Sequence, residues 1–239
     1  MENIKQPNIL VTGASRGIGH AIVETLKKRG ANVMGHATSD PHLLMSDLSV
    51  DGAASILWRT ALDHFGGRID ILINNAGVFE ANRLDDSDER WIANWDRTLK
   101  INLSASTELS RLAVLHWQAH AATGRIVNIA SRAAHRGDSR DHWHYAASKG
   151  AMVSVTKTIA RAYAAQGIFA FAICPGFTMT GMAEDYLSSR GGEKLLADIP
   201  LGRVADPQEI ATIAAFCALD APPSMTGAVL DVNGASYVR

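Results

Sequence analysis

A phenol and an ammonium stand four residues apart in the run Tyr145-Ala146-Ala147-Ser148-Lys149. On a helix that spacing puts both side chains on one face. A free tyrosine, with a pKa of about 10, is a poor acid or base at neutral pH. A neighbouring ammonium favours phenolate and lowers that value, so the pair is expected to act as a proton donor and acceptor. A helical Tyr-Lys pair also arises by chance as packing plus a solvated surface charge. What favours chemistry is the surrounding chain: small residues Ala146, Ala147 and Gly150 leave room for close approach, and the pair follows an apolar run ending at Ser131.

A second cluster lies near the N-terminus. Thr12-Gly13-Ala14-Ser15-Arg16-Gly17-Ile18-Gly19 follows an apolar run and opens into a stretch with helical periodicity. Glycines at 13, 17 and 19 allow a tight turn and close backbone approach, and backbone N–H groups at a helix start suit a pyrophosphate. The two clusters together point to a dinucleotide placed beside an acid-base group.

These residues need a scaffold of strand ends. Short apolar runs alternate with amphipathic stretches along the whole chain, the pattern of a parallel sheet covered by helices on both faces. The predicted strands are Asn8 to Thr12, Asn32 to Ala37, His42 to Ser46, Ile69 to Asn74, Arg125 to Ser131, Ile168 to Pro175 and Ala228 to Val232. Helices are predicted over Ile18 to Arg29, Val50 to His64, Asp88 to His120, Tyr145 to Gln166, Gly181 to Leu196 and Pro207 to Leu219. Acidic clusters at Asp86-Ser87-Asp88-Glu89 and Asp206-Pro207-Gln208-Glu209 read as helix caps rather than catalytic carboxylates.

The chain has 239 residues, 47% hydrophobic and 20% charged, with 23 Lys+Arg against 24 Asp+Glu. That balance gives no field for nucleic acid or an anionic membrane and leaves small molecules as the expected ligands. The cysteines, Cys174 and Cys217, form no CxxC pair and sit among apolar residues, which fits buried thiols in a reducing compartment. No apolar segment reads as a signal peptide or a membrane span, so a cytoplasmic protein is expected.

The glycine spacing resembles the TGxxxGxG motif of the short-chain dehydrogenase/reductase family, and further residues agree in order. Asn74-Asn75-Ala76-Gly77 resembles that family's segment after the fourth strand, which steadies the sheet and lines the adenosine side. Asn102, Ser131, Tyr145 and Lys149 fall in the family's catalytic order. Pro175-Gly176-Phe177-Thr178 resembles the segment closing over the nicotinamide, and Asp47 with Leu48 resembles the pair contacting adenine. The resemblance covers nearly the whole chain and implies one Rossmann-type doubly wound α/β domain over 1–239, with a substrate lid at 179–200.

The resemblance implies hydride transfer between nicotinamide and a carbonyl or secondary alcohol. Tyr145 would move the proton, Ser131 would hold the substrate oxygen, Lys149 would hold the nicotinamide ribose, and Asn102 would hold a relay water. Asn102 could instead simply cap or kink its helix. The second strand ends without a carboxylate until Asp40, and Thr38, Ser39 and Arg16 suit a 2'-phosphate, so NADP(H) is expected, with NAD(H) as the second option.

Within the family the chain is most similar to 3-oxoacyl-[acyl-carrier-protein] reductases, through Gly30-Ala31 to Ser39, Pro175-Gly176-Phe177 and Val232-Asn233-Gly234. Two departures point elsewhere. Docking positions for an acidic carrier protein read Ala121-Ala122-Thr123 and Ala165-Gln166. The loop from Arg132 to His144 is polar, with His135, Arg136, Asp138, Arg140, Asp141, His142 and His144, which suits a polar or anionic carbonyl compound or sugar. His142 and His144 lack a third ligand in clear spacing, so no metal is expected. A non-catalytic dinucleotide-binding regulatory protein is the reading from another class. By analogy the helices Asp88 to His120 and Tyr145 to Gln166 are expected to pair in a homo-oligomer, a dimer or tetramer.

Overall fold

The computed structural model describes residues 6–179 and 192–239. Seven parallel strands form one sheet in the order β3-β2-β1-β4-β5-β6-β7. They are β1 (Asn8–Val11), β2 (Asn32–Ala37), β3 (Leu44–Met45), β4 (Ile71–Asn74), β5 (Gly124–Ile129), β6 (Ile168–Pro175) and β7 (Val229–Val232). All seven expected strands are present, with β3 trimmed to two residues. The helices are α1 (Gly17–Lys28), α2 (Ala53–His64), α3 (Asp88–Leu99), α4 (Ala105–Ala119), α5 (Ala133–Arg136), α6 (Trp143–Tyr163), α7 (Gly192–Ala197) and α8 (Pro207–Ala215).

Successive strand residues point to opposite faces, so the sheet carries two cores. Ile9, Val11, Ile71, Ile73, Val127 and Ile129 face α1 and α8, whereas Leu10, Leu72 and Ile126 face α2 and α4. The caps behave as expected. Asp206 and Glu209 form a reciprocal capping box before α8, and the Ser87 hydroxyl accepts from Arg90 N at α3. Among the described residues no helix is long and apolar enough to cross a membrane.

Three departures bear on the site. The helix expected over Asp88 to His120 is broken by a π-helical turn, Lys100–Ser104. A short helix, α5, occupies the loop after β5, where none was expected. Most of the expected lid, residues 180–191, lies outside the described residues.

The strand order reverses between β1 and β4, and such a reversal opens a crevice at the C-terminal ends of the strands. The glycine turn after β1, Asn75-Ala76-Gly77 after β4, Ser131 after β5 and Gly176 after β6 all stand on that edge.

Candidate active site

Steric fit requires the glycine turn. Gly13 and Gly17 have φ of 66° and 57°, which glycine adopts without strain. A Cβ at Gly13 would lie 2.7 Å from Ala76 Cα, and one at Gly19 would lie 2.1 Å from Gly13 O. The turn is held from both sides. Asn75 Nδ2 donates to Thr12 O at 3.0 Å and Gly13 O at 2.8 Å, while Asn75 N and Ala76 N donate to Thr12 Oγ1, each at 3.0 Å. From the β2 side, Gly13 N–H donates to His36 Nδ1 at 3.3 Å. That bond leaves the proton on Nε2, which donates to Ser46 O at 2.8 Å. His36 is buried, and burial lowers its pKa, which keeps the ring neutral and able to accept. No periodicity or spacing marked His36 in the sequence.

Ser15 and Arg16 are exposed at the start of α1, Gly17 and Ile18 are half-buried, and Thr38 and Ser39 are exposed at the end of β2. Helix α1 leaves the N–H groups of its first turn free for an anion, with no acid in that turn to oppose one. The donor set and the close-approach glycines therefore fit a dinucleotide. The Leu48 side chain is buried in the core against α2, which leaves its backbone as the part that can meet a ligand. Asp47 remains exposed, with its carboxylate accepting from Ser49 N and Oγ.

Tyr145, half-buried, and Lys149, buried, share one face of α6. Lys149 Nζ donates to Ile129 O at 2.8 Å and lies 5.8 Å from the Tyr145 ring centroid. The Ser131 hydroxyl accepts from Ala133 N at 3.1 Å, so α5 orients it, and Ser131 favours the phenolate of Tyr145 against the effect of burial. These contacts unite the sequence-expected Ser, Tyr and Lys. The electrostatics differ from expectation. Burial pushes Tyr145 up to about 12 and Lys149 down to about 8. The expected acidification of the phenol is overturned, because loss of water opposes phenolate and the ammonium is itself only weakly held in its charged form.

Asn102 sits in the π-helical turn between α3 and α4, fully buried. Its Oδ1 accepts from Val78 N at 2.8 Å, and its Nδ2 donates to Val78 O at 3.0 Å and Ser148 Oγ at 3.3 Å. Both the wide turn and the clasp on residue 78 aim Asn102 at the segment after Gly77. A Cβ on Gly77 would lie 3.2 Å from Asn102 Oδ1 and 3.5 Å from Lys149 Nζ, so Gly77 keeps that corner open.

At the end of β6, Gly176 N–H donates to Val232 O, and a Cβ there would lie 2.9 Å from Asn233 Cα. Phe177 is exposed. Thr178 is buried, with its hydroxyl donating to Gly176 O at 3.2 Å.

One wall is aromatic. The Phe79 ring stacks on His142 at 3.9 Å between centroids and meets Tyr145 edge-on at 4.8 Å. His144 is buried near Trp95, 6.4 Å between centroids. Burial lowers the pKa of both histidines. Behind Ser131, Cys174 Sγ lies 3.7 Å from His135 Nε2. Asp231, which completes a group of ligand-type atoms within 4.8 Å of one another, is held by Arg239 at 2.9 Å.

A family model described as Enoyl-(Acyl carrier protein) reductase matches residues 13–235. The chain is 37% identical over 249 residues to the 3-oxoacyl-[acyl-carrier-protein] reductase FabG of Vibrio cholerae, covering 99% of each chain. It is 38% identical to the FabG of Escherichia coli, covering 96% of each. Among solved structures it is similar to a protein described as a 2-deoxy-D-gluconate 3-dehydrogenase from Agrobacterium tumefaciens with bound NADP, at a TM-score of 0.88 and 30% identity over 99% of this chain and 98% of that one. The aldohexose dehydrogenase of Thermoplasma acidophilum, in ligand-free form, gives a TM-score of 0.86 at 27% identity, covering 98% of this chain and 95% of that one.

Proposed function

The chain belongs to the short-chain dehydrogenase/reductase family, and on that footing we propose that it is an NADP(H)-dependent oxidoreductase interconverting a small carbonyl compound and its secondary alcohol. The observation that carries this reading is the convergence of Ser131, Tyr145 and Lys149 at the C-terminal edge of a parallel sheet, where Ser131 favours the phenolate form of Tyr145 and Lys149 Nζ is fixed on Ile129 O one helical turn away.

Gly13, Ser15, Arg16, Gly17, Ile18 and Gly19 would hold the pyrophosphate side of the dinucleotide, Arg16, Thr38 and Ser39 its 2'-phosphate, and Asn75, Ala76 and Gly77 its adenosine side. Pro175, Gly176 and Phe177 would border the nicotinamide. When bound, the cofactor supplies or accepts the hydride.

The chain's own residues handle the proton and the oxygen. In reduction the carbonyl carbon gains hydride while the O–H bond of Tyr145 breaks and its proton passes to the carbonyl oxygen. Because burial keeps the phenol protonated, Tyr145 is charged with that proton across the neutral range. Ser131 donates to the same oxygen and fixes its position. Lys149 re-supplies the proton to the phenol, and Asn102, clasped to the chain at Val78, holds the approach to Lys149 open.

Two substrate readings stand. A 3-oxoacyl thioester is supported by the FabG relatives, and a polar carbonyl compound or sugar is supported by the Arg132 to His144 loop and by the sugar dehydrogenases of similar fold. We place the protein in the cytoplasm as a dimer or tetramer pairing through α3, α4 and α6, where Ile92 and Leu115 are exposed; sedimentation as a monomer at micromolar concentration would reject that pairing.

The test is NADPH oxidation, followed by absorbance, with a panel of ketoacyl thioesters, keto sugars and diketones beside a Tyr145→Phe variant. Turnover lost by about a hundredfold or more in the variant supports the reading. Undiminished turnover refutes it.

A further inference from the structure

Immediately after Ser131 stands a cation that the reaction above does not use. Arg132 is only 9% exposed, and arginine is seldom buried so deeply without a full set of partners. Its backbone N–H donates to Pro175 O at 2.9 Å, which ties it to the strand ends that carry Ser131 and Phe177. Its guanidinium carbon lies 4.7 Å from the centroid of the Phe177 ring.

The guanidinium is under-compensated. Nη1 is buried without a hydrogen bond among the described residues. Among the described residues the nearest acid, Asp198, stands 3.5 Å from Nη1 and gives its shorter contact, 2.8 Å, to Nη1 of Arg136. Two guanidiniums thus share one half-exposed carboxylate. Asp138, exposed on the surface, is the other acid among the described residues that acts on Arg132, and it does so more weakly than either Arg136 or Asp198. A buried cation in this position costs stability unless an anion joins it.

We propose that Arg132 determines substrate specificity by receiving a carboxylate of the substrate, so that the preferred substrates are small hydroxy and oxo acids of sugar-like polarity. A guanidinium matches a carboxylate in two parallel hydrogen bonds. The guanidinium lies against Phe177, which the reading above sets beside the nicotinamide, and so stands at the border of the site. Phe177 flattens the guanidinium on one side and leaves its edge as the donor surface. A carrier protein would meet exposed basic residues at the mouth, whereas a buried arginine reads a group that enters the site.

This inference rests on the oxidoreductase reading, and its test separates the two. The full chain is assayed with NADP+ on gluconate and on glucose, two similar skeletons with and without a carboxylate. With NADPH it is assayed on the N-acetylcysteamine thioester of acetoacetate. Variants are Arg132→Met and Arg132→Lys, each checked by thermal melting. Gluconate binding to NADP+-saturated Tyr145→Phe enzyme is measured by calorimetry.

The expected result is a kcat/KM for gluconate about tenfold or more above that for glucose. Arg132→Met removes that advantage, chiefly through KM, bringing the ratio of kcat/KM for gluconate to that for glucose toward one, and Arg132→Lys restores part of the ratio. Calorimetric binding of gluconate is lost in the Arg132→Met background. Glucose or the thioester matching gluconate in the wild type overturns the inference and leaves the oxidoreductase reading intact, as does an unchanged KM for gluconate in Arg132→Met. Turnover of none of the three substrates counts against the oxidoreductase reading, and the calorimetry then decides the role of Arg132 by itself: absence of gluconate binding overturns it.

Discussion

The Lys149 ammonium stands 5.8 Å from the Tyr145 ring centroid and spends a hydrogen bond on Ile129 O instead. Burial therefore sets both titrations, with the phenol up to about 12 and the amine down to about 8. In the reducing direction the phenol stays protonated throughout the accessible range, so the alkaline limb belongs to Lys149. We expect kcat/KM for a ketone with NADPH to hold steady below about pH 7.5 and to fall with an inflection near 8. Lys149→Arg, whose guanidinium does not titrate in this range, should lose rate but also lose that inflection. A limb that survives in the variant would assign it to another group.

The same shift has a consequence for stability. The folded-state value of Lys149, about 8, lies below its unfolded value of 10.5. Between those two values the unfolded chain keeps a proton that the folded chain has released, so stability rises with pH across that window. Below about 8 the amine is buried in its charged form, a net penalty of roughly 3 to 4 kcal/mol at about 1.4 kcal/mol per pKa unit. Lys149→Met should therefore melt above wild type at neutral pH and show a flatter stability profile from about 8 to 10.5, while losing turnover. Calorimetric scans at three pH values check it, and a lower melting temperature at pH 7 contradicts it.

How much of this was legible in the residues depends on whether the signal was local. Strands such as Ile168–Pro175 are apolar on both faces and bounded by turn residues, so their positions followed from the chain alone. The glycine turn and the Tyr145 to Lys149 spacing are local motifs too. The π-helical turn at Lys100–Ser104 was not legible, because one extra residue per turn leaves the apolar periodicity of Asp88 to His120 almost intact. His36 became visible only when β2 was laid beside the glycine turn. The direction of the Tyr145 shift was misjudged because spacing reports a neighbouring charge, whereas burial is a property of the folded molecule. The depth of Arg132 could not be read for the same reason.

Cofactor choice gives a sharper test of the crevice. Arg16 is exposed at the start of α1, and its charge rewards a ligand with a 2'-phosphate over one that carries the pyrophosphate alone. Arg16→Ala should weaken NADPH by about ten- to a hundredfold, the range for a hydrogen bond to a charged group, and leave NADH nearly unchanged. Gly19→Ala should weaken both cofactors alike, because its Cβ would fall 2.1 Å from Gly13 O and force the turn apart. Fluorescence titration of both nucleotides against both variants separates charge recognition from turn geometry. An unchanged NADPH to NADH ratio in Arg16→Ala would remove Arg16 from the phosphate pocket.

Asn74 links the sheet to the helix that leads into the site. Its Nδ2 donates to Asn128 Oδ1 at 2.9 Å, to Ser110 Oγ at 3.0 Å and to Ser106 O at 3.3 Å, all buried. Asn128 Nδ2 continues to Thr156 Oγ1 on α6 at 2.8 Å, and Ser106 Oγ donates to Asn102 O at 3.1 Å. The network thus ties β4 and β5 to α4, α6 and the turn that carries Asn102. Asn74→Ala strands several buried acceptors at once and should cost about 2 to 4 kcal/mol, which for a chain of this size lowers the melting temperature by roughly 5 to 15 °C. Because Asn74 and Asn128 share a bond, Asn74→Ala with Asn128→Ala should cost less than the two singles added together. The loosened α4 should also reach Asn102, so turnover should drop several-fold with cofactor affinity preserved. Additive stabilities in the double-mutant cycle, or an unaltered kcat in the folded single variant, would mean that the network braces the sheet without transmitting anything to the acid-base group.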